Sequence, residues 1–542
     1  MKSFILLGFV SLIIGTEQKS TPEDTSYVAA VVEYEVNSNT DTNVQNYVRL
    51  IKDAADQNAD VVVFPEMTLN PQGARSVSIP IYGLLQEYPI PALRADLYNE
   101  ILVSISSAAR ENQIYVVVNM QEIMNCENAP GEECPENKTY IFNTNVVFDR
   151  EGAVIDRYRK INLFGEYTRT PALKPDLGVF STDFGVRFGH FICFDLMFQV
   201  PAIQTPQKLN VTDIIFTTMW FSELPYLTAI QIQESYAYKM NVNFIAAGAN
   251  NVRVGSAGSG IYSGKAGSLI SIMPGVPTTR LLVSRVPKVP GQVTEPYPGP
   301  IYDDPSEHDN LRLISDPSLS AHTSRLLVPG YQDFILMSGT TVCSFRINLT
   351  QTDNTLYKYR AGVLDGVRSF SGVASGGVKS CGVYACTDDA VDSCGMRFPK
   401  YTPNSLATFQ ELSIDAFLTT PRLNQDLQAD SIAYFPVSLQ PSLLPLEPKD
   451  ISFNITSLFG ILDIYNYKLL NNNVELYTFG IFGRVFERDG DEPSPPWVEP
   501  EDPSTPSTPP ETESTDAPGS ASSFHITIST FIMILFTFIV LS

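Results

Sequence analysis

Gly189-His190-Phe191-Ile192-Cys193-Phe194-Asp195 is an apolar, strand-like run that delivers a thiol at its end. Two other runs of the same type end in charge. Val61-Val62-Val63-Phe64-Pro65-Glu66 closes on a carboxylate, and Val154-Ile155-Asp156-Arg157-Tyr158-Arg159-Lys160 closes on an ammonium. In a layered α/β fold, side chains at the carboxyl ends of strands converge on one crevice. Glu66, Lys160 and Cys193 can therefore meet, although they are far apart in sequence. The trio suits amide chemistry. A thiol attacks an amide carbon as thiolate or with a base at hand. Glu66 can take the thiol proton and later activate water. A fixed Lys160 ammonium can stabilise the oxyanion of the tetrahedral intermediate. The two charges also push the thiol pKa in opposite directions.

Each residue alone has a plainer reading. Free cysteine is among the most buried residue types, a strand-end glutamate often caps the next helix, and a lysine is usually solvated. Three such residues at three strand ends outweigh those readings. Strand alternation places Lys160 on the face of Tyr158 and sets Arg157 and Arg159 on the other, where they pair with solvent or acids. A Cys-His enzyme has no evident base here. Of four histidines, His190 lies on the face opposite Cys193, and it packs or hydrogen-bonds within the fold. Asp303, Asp304 and His308 read as an acidic surface loop rather than a metal site. No metal and no cofactor are expected.

Around these runs the first half alternates strand and helix patterns. Residues 27–36, 61–64, 114–120, 213–219 and 244–249 read as strands. Residues 44–60, 92–111 and 226–240 have helical spacing. Arg150-Glu151-Gly152 between 145–148 and 153–158 signals a hairpin. The pattern predicts an α/β domain over 25–290, with stacked sheets covered by helices. From 300 to 487 helical periodicity fades and short β-rich runs appear, which predicts a smaller, disulfide-stapled β-rich domain. Residues 489–518 are rich in Pro, Ser, Thr and Glu and read as an extended, disordered stalk.

The chain has 542 residues and a formal net charge of −23. That charge excludes nucleic acid as a partner, since phosphate binding needs a basic face, and it disfavours direct binding to an anionic membrane surface. Met1-Lys2 before the apolar run 4–14 predicts a signal peptide over 1–18. At the other end, small residues at 519–522 and the apolar run 531–541, with no basic stop, predict a GPI signal over 519–542 attached at Gly519 or Ser520. The expected location is the extracellular face of the plasma membrane.

Seven cysteines in a secreted chain leave one thiol unpaired. Cys193 is the odd one out. Cys126 and Cys134 are close enough in sequence to pair, while Cys343, Cys381, Cys386 and Cys394 allow three connectivities. Asn137, Asn210, Asn348 and Asn454 sit in Asn-x-Ser/Thr glycosylation sites.

The wording around these residues resembles the vanin and biotinidase branch of the nitrilase superfamily. Phe64-Pro65-Glu66 resembles the family's glutamate strand. Arg157-Tyr158-Arg159-Lys160-Ile161-Asn162-Leu163-Phe164 resembles its lysine segment, and Phe188-Gly189-His190-Phe191-Ile192-Cys193-Phe194-Asp195 its nucleophile strand. Residues 220–238 and Gly258-Ser259-Gly260-Ile261-Tyr262 look like later landmarks. The resemblance implies an αββα nitrilase-type sandwich followed by a β-rich partner domain. It also implies Glu66 as general base, Lys160 as oxyanion-side cation and Cys193 as nucleophile. Glu166 resembles a second acidic residue of the wider superfamily, but it is not counted among the catalytic residues. The implied substrates are small vitamin amides, with pantetheine first and biocytin second. A non-catalytic adhesion or binding ectodomain is the alternative, and the intact trio argues against it. Loops 67–90 and 221–230 are the expected substrate-choosing segments.

Overall fold

The computed structural model describes residues 19–71, 75–128, 136, 138–458 and 460–498. The signal-peptide and anchor segments with Gly519 and Ser520 lie outside the described residues, as do Cys134, Asn137 and residues 499–518.

Two mixed sheets stack face to face. The first runs Arg280–Pro287, Ser26–Glu35, Val61–Val63, Tyr115–Asn125, Thr139–Phe148 and Val154–Arg159 in spatial order. The second runs Gly178–Ser181, Arg187–Ile192, Asp213–Thr218, Asn243–Asn250, Ser259–Ser263, Ser268–Ile272 and Gly299–Ile301. They meet at one corner, where Tyr34 and Glu35 pair with Ala249 and Asn250. The central strands are parallel and covered on both faces, which is why they read as continuous apolar runs. Val31, Val61, Val63 and Val117 of the first sheet pack against Phe188, Ile215 and Ile245 of the second. Their neighbours Val32, Val62 and Val116 point the other way, beneath Tyr47 and Ile51 of helix Thr40–Ala55 and Ile105 of helix Glu100–Asn112. Helix Ala229–Met240 covers the second sheet through Tyr236, whose ring lies 4.8 Å from that of Phe244. The result is the expected αββα arrangement.

The helix expected over 92–111 is shorter. Pro91–Leu93 forms a separate 3-10 turn, and the helix starts at Glu100 because Asn99 caps it, accepting from the Ile101 N–H at 2.9 Å. The 145–148/153–158 hairpin is present as Thr139–Phe148 against Val154–Arg159.

The second half is an antiparallel β-sandwich. One sheet runs Thr323–Leu326, Lys358–Phe370, Ala374–Cys386, Thr478–Val485 and Ile432–Leu439. The other runs Gly330–Ser338, Thr341–Thr350, Thr408–Thr419, Leu462–Leu469 and Ile451–Leu458. The connectivity that the sequence leaves open is Cys343–Cys381 and Cys386–Cys394. The first of these staples one sheet to the other. Asn210 and Asn454 are exposed, and Asn348 is half-buried.

Two expected boundaries shift. Gly299–Ile301 pairs with Ile270–Ile272, and Ile314 and Ser315 pair with Glu223 and Leu224, so the connection between the halves is woven into the first. The Ser235 hydroxyl also donates to the Pro436 carbonyl at 2.6 Å, across a core common to both halves. Everything described up to Trp497 forms one compact unit. The residues read as the start of the stalk are docked rather than loose. Asp489 pairs with Arg484 at 2.5 Å, and the Ser494 and Trp497 N–H groups donate to Val367 and Ser320 at 2.9 and 2.8 Å. Among the described residues, no helix is long and apolar enough to cross a membrane.

Candidate active site

Glu66, Lys160 and Cys193 come together at the strand ends, all buried. Lys160 Nζ donates to Glu66 Oε1 at 2.8 Å and also to Glu166 Oε1. Asn143 Nδ2 bridges the same two acids, donating to Glu66 Oε1 at 2.7 Å and Glu166 Oε2 at 2.9 Å. Glu66 Oε2 accepts from the Met219 N–H at 2.7 Å. Behind them, Asn119 Nδ2 donates to Asn143 and Asn145, at 2.7 and 3.1 Å, and Asn119 Oδ1 accepts from the Met67 N–H at 2.9 Å. Every carboxylate oxygen of the pair is thus held by a donor on a rigid strand or turn.

Cys193 sits where strand Arg187–Ile192 turns into the short 3-10 helix Cys193–Met197. Its φ of 50° lies in the left-handed region, and Met67 after the acid has φ 56°. A non-glycine residue there costs roughly 1–3 kcal/mol and persists only when its surroundings fix it. Asp195 does the fixing. Its Oδ2 accepts from the Ile192 N–H at 3.2 Å and from Tyr158 Oη at 2.6 Å, while Oδ1 accepts from the Asn162 N–H and Nδ2 at 2.8 and 2.9 Å. The Cys193 thiol faces the Met219 carbonyl, with Sγ 3.6 Å from its oxygen.

Burial pushes the Cys193 thiol pKa strongly up, and the Glu66 carboxylate adds to this, while Lys160 and the Thr218 hydroxyl pull it down without prevailing. The opposing pushes expected from the two charges are both present, and the resting thiol is protonated. Lys160 moves the other way. Burial works against its charge, but Glu166 and Glu66 outweigh burial and hold its pKa well above the ordinary value. A neutral thiol, a carboxylate beside it and a locked ammonium can together perform base-assisted attack on an amide carbonyl.

A narrow cleft opens on Cys193. Phe164, Phe194, Trp220 and Phe221 supply its aromatic walls, and Phe370 with Ser371 reaches in from the sandwich hairpin. The segment 221–230 does line it, through Phe221, Glu223 and Leu227, whereas no described residue of 67–90 does. That expectation ignored the second half of the chain, whose hairpin comes close in space but not in sequence.

His190 is buried and its Nε2 lies 2.8 Å from Asp156 Oδ2, away from the thiol. Arg159 and Arg157 pair with the buried Glu122, at 2.6 and 3.1 Å. His308 Nε2 lies 2.7 Å from the Met273 carbonyl oxygen. Sequence reasoning missed Asn119, Asn143 and Asp195 and set Glu166 aside. The asparagines did carry a signal, being polar residues inside otherwise apolar strands. Glu166 carried only its closeness to Lys160 and its resemblance to a second acidic residue of the wider superfamily, because a loop offers no periodicity to place it.

Two family models match the chain: Carbon-nitrogen hydrolase over residues 28–270 and Vanin C-terminal domain over residues 311–489. Vanin-like protein 1 of Drosophila melanogaster is 34% identical over 524 residues, covering 89% of this chain and 91% of that one. Biotinidase of Takifugu rubripes is 31% identical over 416 residues, covering 69% and 82%. Pantetheinase of Canis lupus familiaris is 35% identical over 282 residues, covering 48% and 54%. With its stacked sheets, β-sandwich and buried thiol, the chain belongs to the vanin and biotinidase branch of the carbon-nitrogen hydrolases and is an amide hydrolase.

Proposed function

We propose that the chain cleaves the linear amide of a small vitamin conjugate through a Cys193 thioester, with pantetheine as first substrate and biocytin as second. The observation that carries this is the Glu66–Lys160 contact at 2.8 Å beside an unpaired, buried cysteine that opens on an apolar cleft. The similarity to pantetheinase and biotinidase supports the substrate class.

The raised thiol pKa sets the order of events. Cys193 is protonated at rest, so its proton passes to Glu66 as sulfur bonds to the carbonyl carbon. The oxyanion forms beside the Lys160 ammonium, whose charge Glu166 and Glu66 favour in the resting site. Collapse returns the proton from Glu66 to the departing amine and leaves a thioester. Glu66 then takes a proton from water, hydroxide adds to the thioester, and the acid is released as the carbon–sulfur bond breaks and Cys193 takes the proton back from Glu66. Glu166 and Asn143 keep Lys160 and Glu66 aimed, which pre-sets the geometry of each step.

We further propose that the mature protein is held at the outer face of the plasma membrane by a GPI lipid at Gly519 or Ser520, with 499–518 as a spacer. Release of cysteamine and pantothenate, assayed under reducing conditions beside release of biotin, tests the substrate. Neither product from folded protein overturns it. Treating intact cells with phosphatidylinositol-specific phospholipase C tests the anchor. Protein that stays with the membrane and yields peptides from 531–541 overturns it.

A further inference from the structure

The cleft beside Cys193 is lined mainly by aromatic and aliphatic side chains, with one ionisable carboxylate among them. Glu223 lines it and is only 7% exposed. Its Oε1 accepts from Arg368 Nη2 at 2.6 Å, and its Oε2 makes no hydrogen bond among the described residues. Arg368, on strand Lys358–Phe370 of the sandwich, is fully buried, and its Nη1 lies 3.1 Å from Asp316 Oδ2. Asp316 is held in turn by the Ser318 N–H and hydroxyl, at 2.8 and 2.6 Å. One guanidinium therefore stands between two carboxylates. The nearby Arg484 is matched by Asp489, and burial holds the His322 pKa below the ordinary imidazole value, so neither supplies the missing charge. Burial raises Glu223 to about 7; Arg368 opposes the rise and Asp316 adds to it.

Resting on the amidase reading above, we propose that Glu223, buttressed by Arg368, is the specificity-determining residue of this cleft and selects amides that carry an ammonium group among otherwise apolar atoms, which, against the order of substrates that similarity suggests, puts an ammonium-bearing amide such as biocytin ahead of the neutral pantetheine. An apolar ligand that covers Glu223 strips its remaining water and returns nothing. An ammonium returns a charge-assisted hydrogen bond to the unpartnered oxygen. The faces of Trp220 and Phe221 add a cation–π attraction that a methyl group lacks. The selecting group is built from both halves of the chain: its carboxylate comes from the catalytic half and its buttress from the sandwich.

The test uses the full-length protein and two amides with the same scissile bond and chain length, one ending in an ammonium and the other in a methyl group. Wild type is expected to favour the ammonium amide by about 10- to 100-fold in kcat/KM. In Glu223→Gln, which keeps an acceptor for Arg368 but loses the charge, the ratio falls to about one. Glu223→Asp, which keeps the charge, retains a preference of the same sign. Equal handling of both amides by wild type, or an undiminished ratio in folded Glu223→Gln, overturns the proposal. Binding of both amides to Cys193→Ala, measured by calorimetry, separates selectivity from turnover. If wild type hydrolyses neither amide, the amidase reading falls by itself. The selectivity proposal then stands or falls on whether Cys193→Ala binds the ammonium amide more tightly.

Discussion

Tyr158 Oη donates to Asp195 Oδ2 across 2.6 Å, and by that bond the strand that delivers Lys160 is tied to the turn that delivers Cys193. Asn162 doubles the tie from the same strand end, through its N–H and its side chain. The ammonium and the thiol are therefore parts of one braced assembly. Asp195→Ala is expected to lower kcat by about 100-fold, because misplacing a reacting group by about 1 Å has that effect. The rate at which a thiol-reactive amide analogue labels Cys193 should fall with it. A wild-type kcat in this variant shows that the turn holds itself.

Cys193→Ala is expected to abolish amide hydrolysis and leave secretion and melting temperature close to wild type, since the thiol's contact with the Met219 carbonyl, at 3.6 Å, is a long one. Glu66→Gln should remove nearly all turnover for a different reason: the amide cannot accept the thiol proton. Hydrolysis rates with circular dichroism melts separate lost chemistry from lost fold. Substantial turnover in Cys193→Ala overturns the nucleophile assignment.

Lys160→Ala should slow turnover by about 10²–10³-fold if the ammonium faces the oxyanion. The same change leaves Glu66 and Glu166 facing each other without a cation, so stability should drop by about 3–5 kcal/mol. Chemical denaturation beside steady-state kinetics reads both. An unchanged kcat with lowered stability assigns Lys160 to the fold alone.

The buried carboxylates make stability depend on pH in an unusual direction. Burial raises Asp195 and Asp213 to about 6, Glu33 to about 7 and Glu234 to about 8. Each holds its proton more tightly folded than unfolded. Its contribution is fully present below the unfolded pKa, near 4, and is lost as pH rises through the folded value. The protein should therefore melt at a higher temperature at pH 5.5 than at pH 8. Glu234→Gln should flatten the upper part of that slope. A melting temperature that rises from pH 5.5 to pH 8 contradicts these shifts.

The convergence of Glu66, Lys160 and Cys193 and both layers of fold were legible because strand periodicity is local. Runs such as Val61-Val62-Val63 can only be strands covered on both faces, and chain connectivity then puts Glu66 just past the end of its strand. The sequence was silent where a partner arrives from far away. The cap at Asn99 truncated a helix whose apolar spacing runs on without it. Asp195 was visible as a residue but not as a brace, because its role depends on Tyr158 and Asn162. Phe370 gave no sign of belonging to the cleft, nor Arg368 of standing behind Glu223, since nothing in an antiparallel hairpin records which neighbour it leans on.

That hairpin divides the labour of the enzyme along the chain. The thiol, acid and ammonium stand just past the ends of buried strands, where Asp195, Asn143 and Glu166 hold them, and a change there is expected to disturb the reaction itself. Phe370 and Ser371 stand on a turn at the end of a sandwich that carries no reacting group. Substitutions at that turn are expected to change which amide the cleft accepts while the reacting groups stay in place.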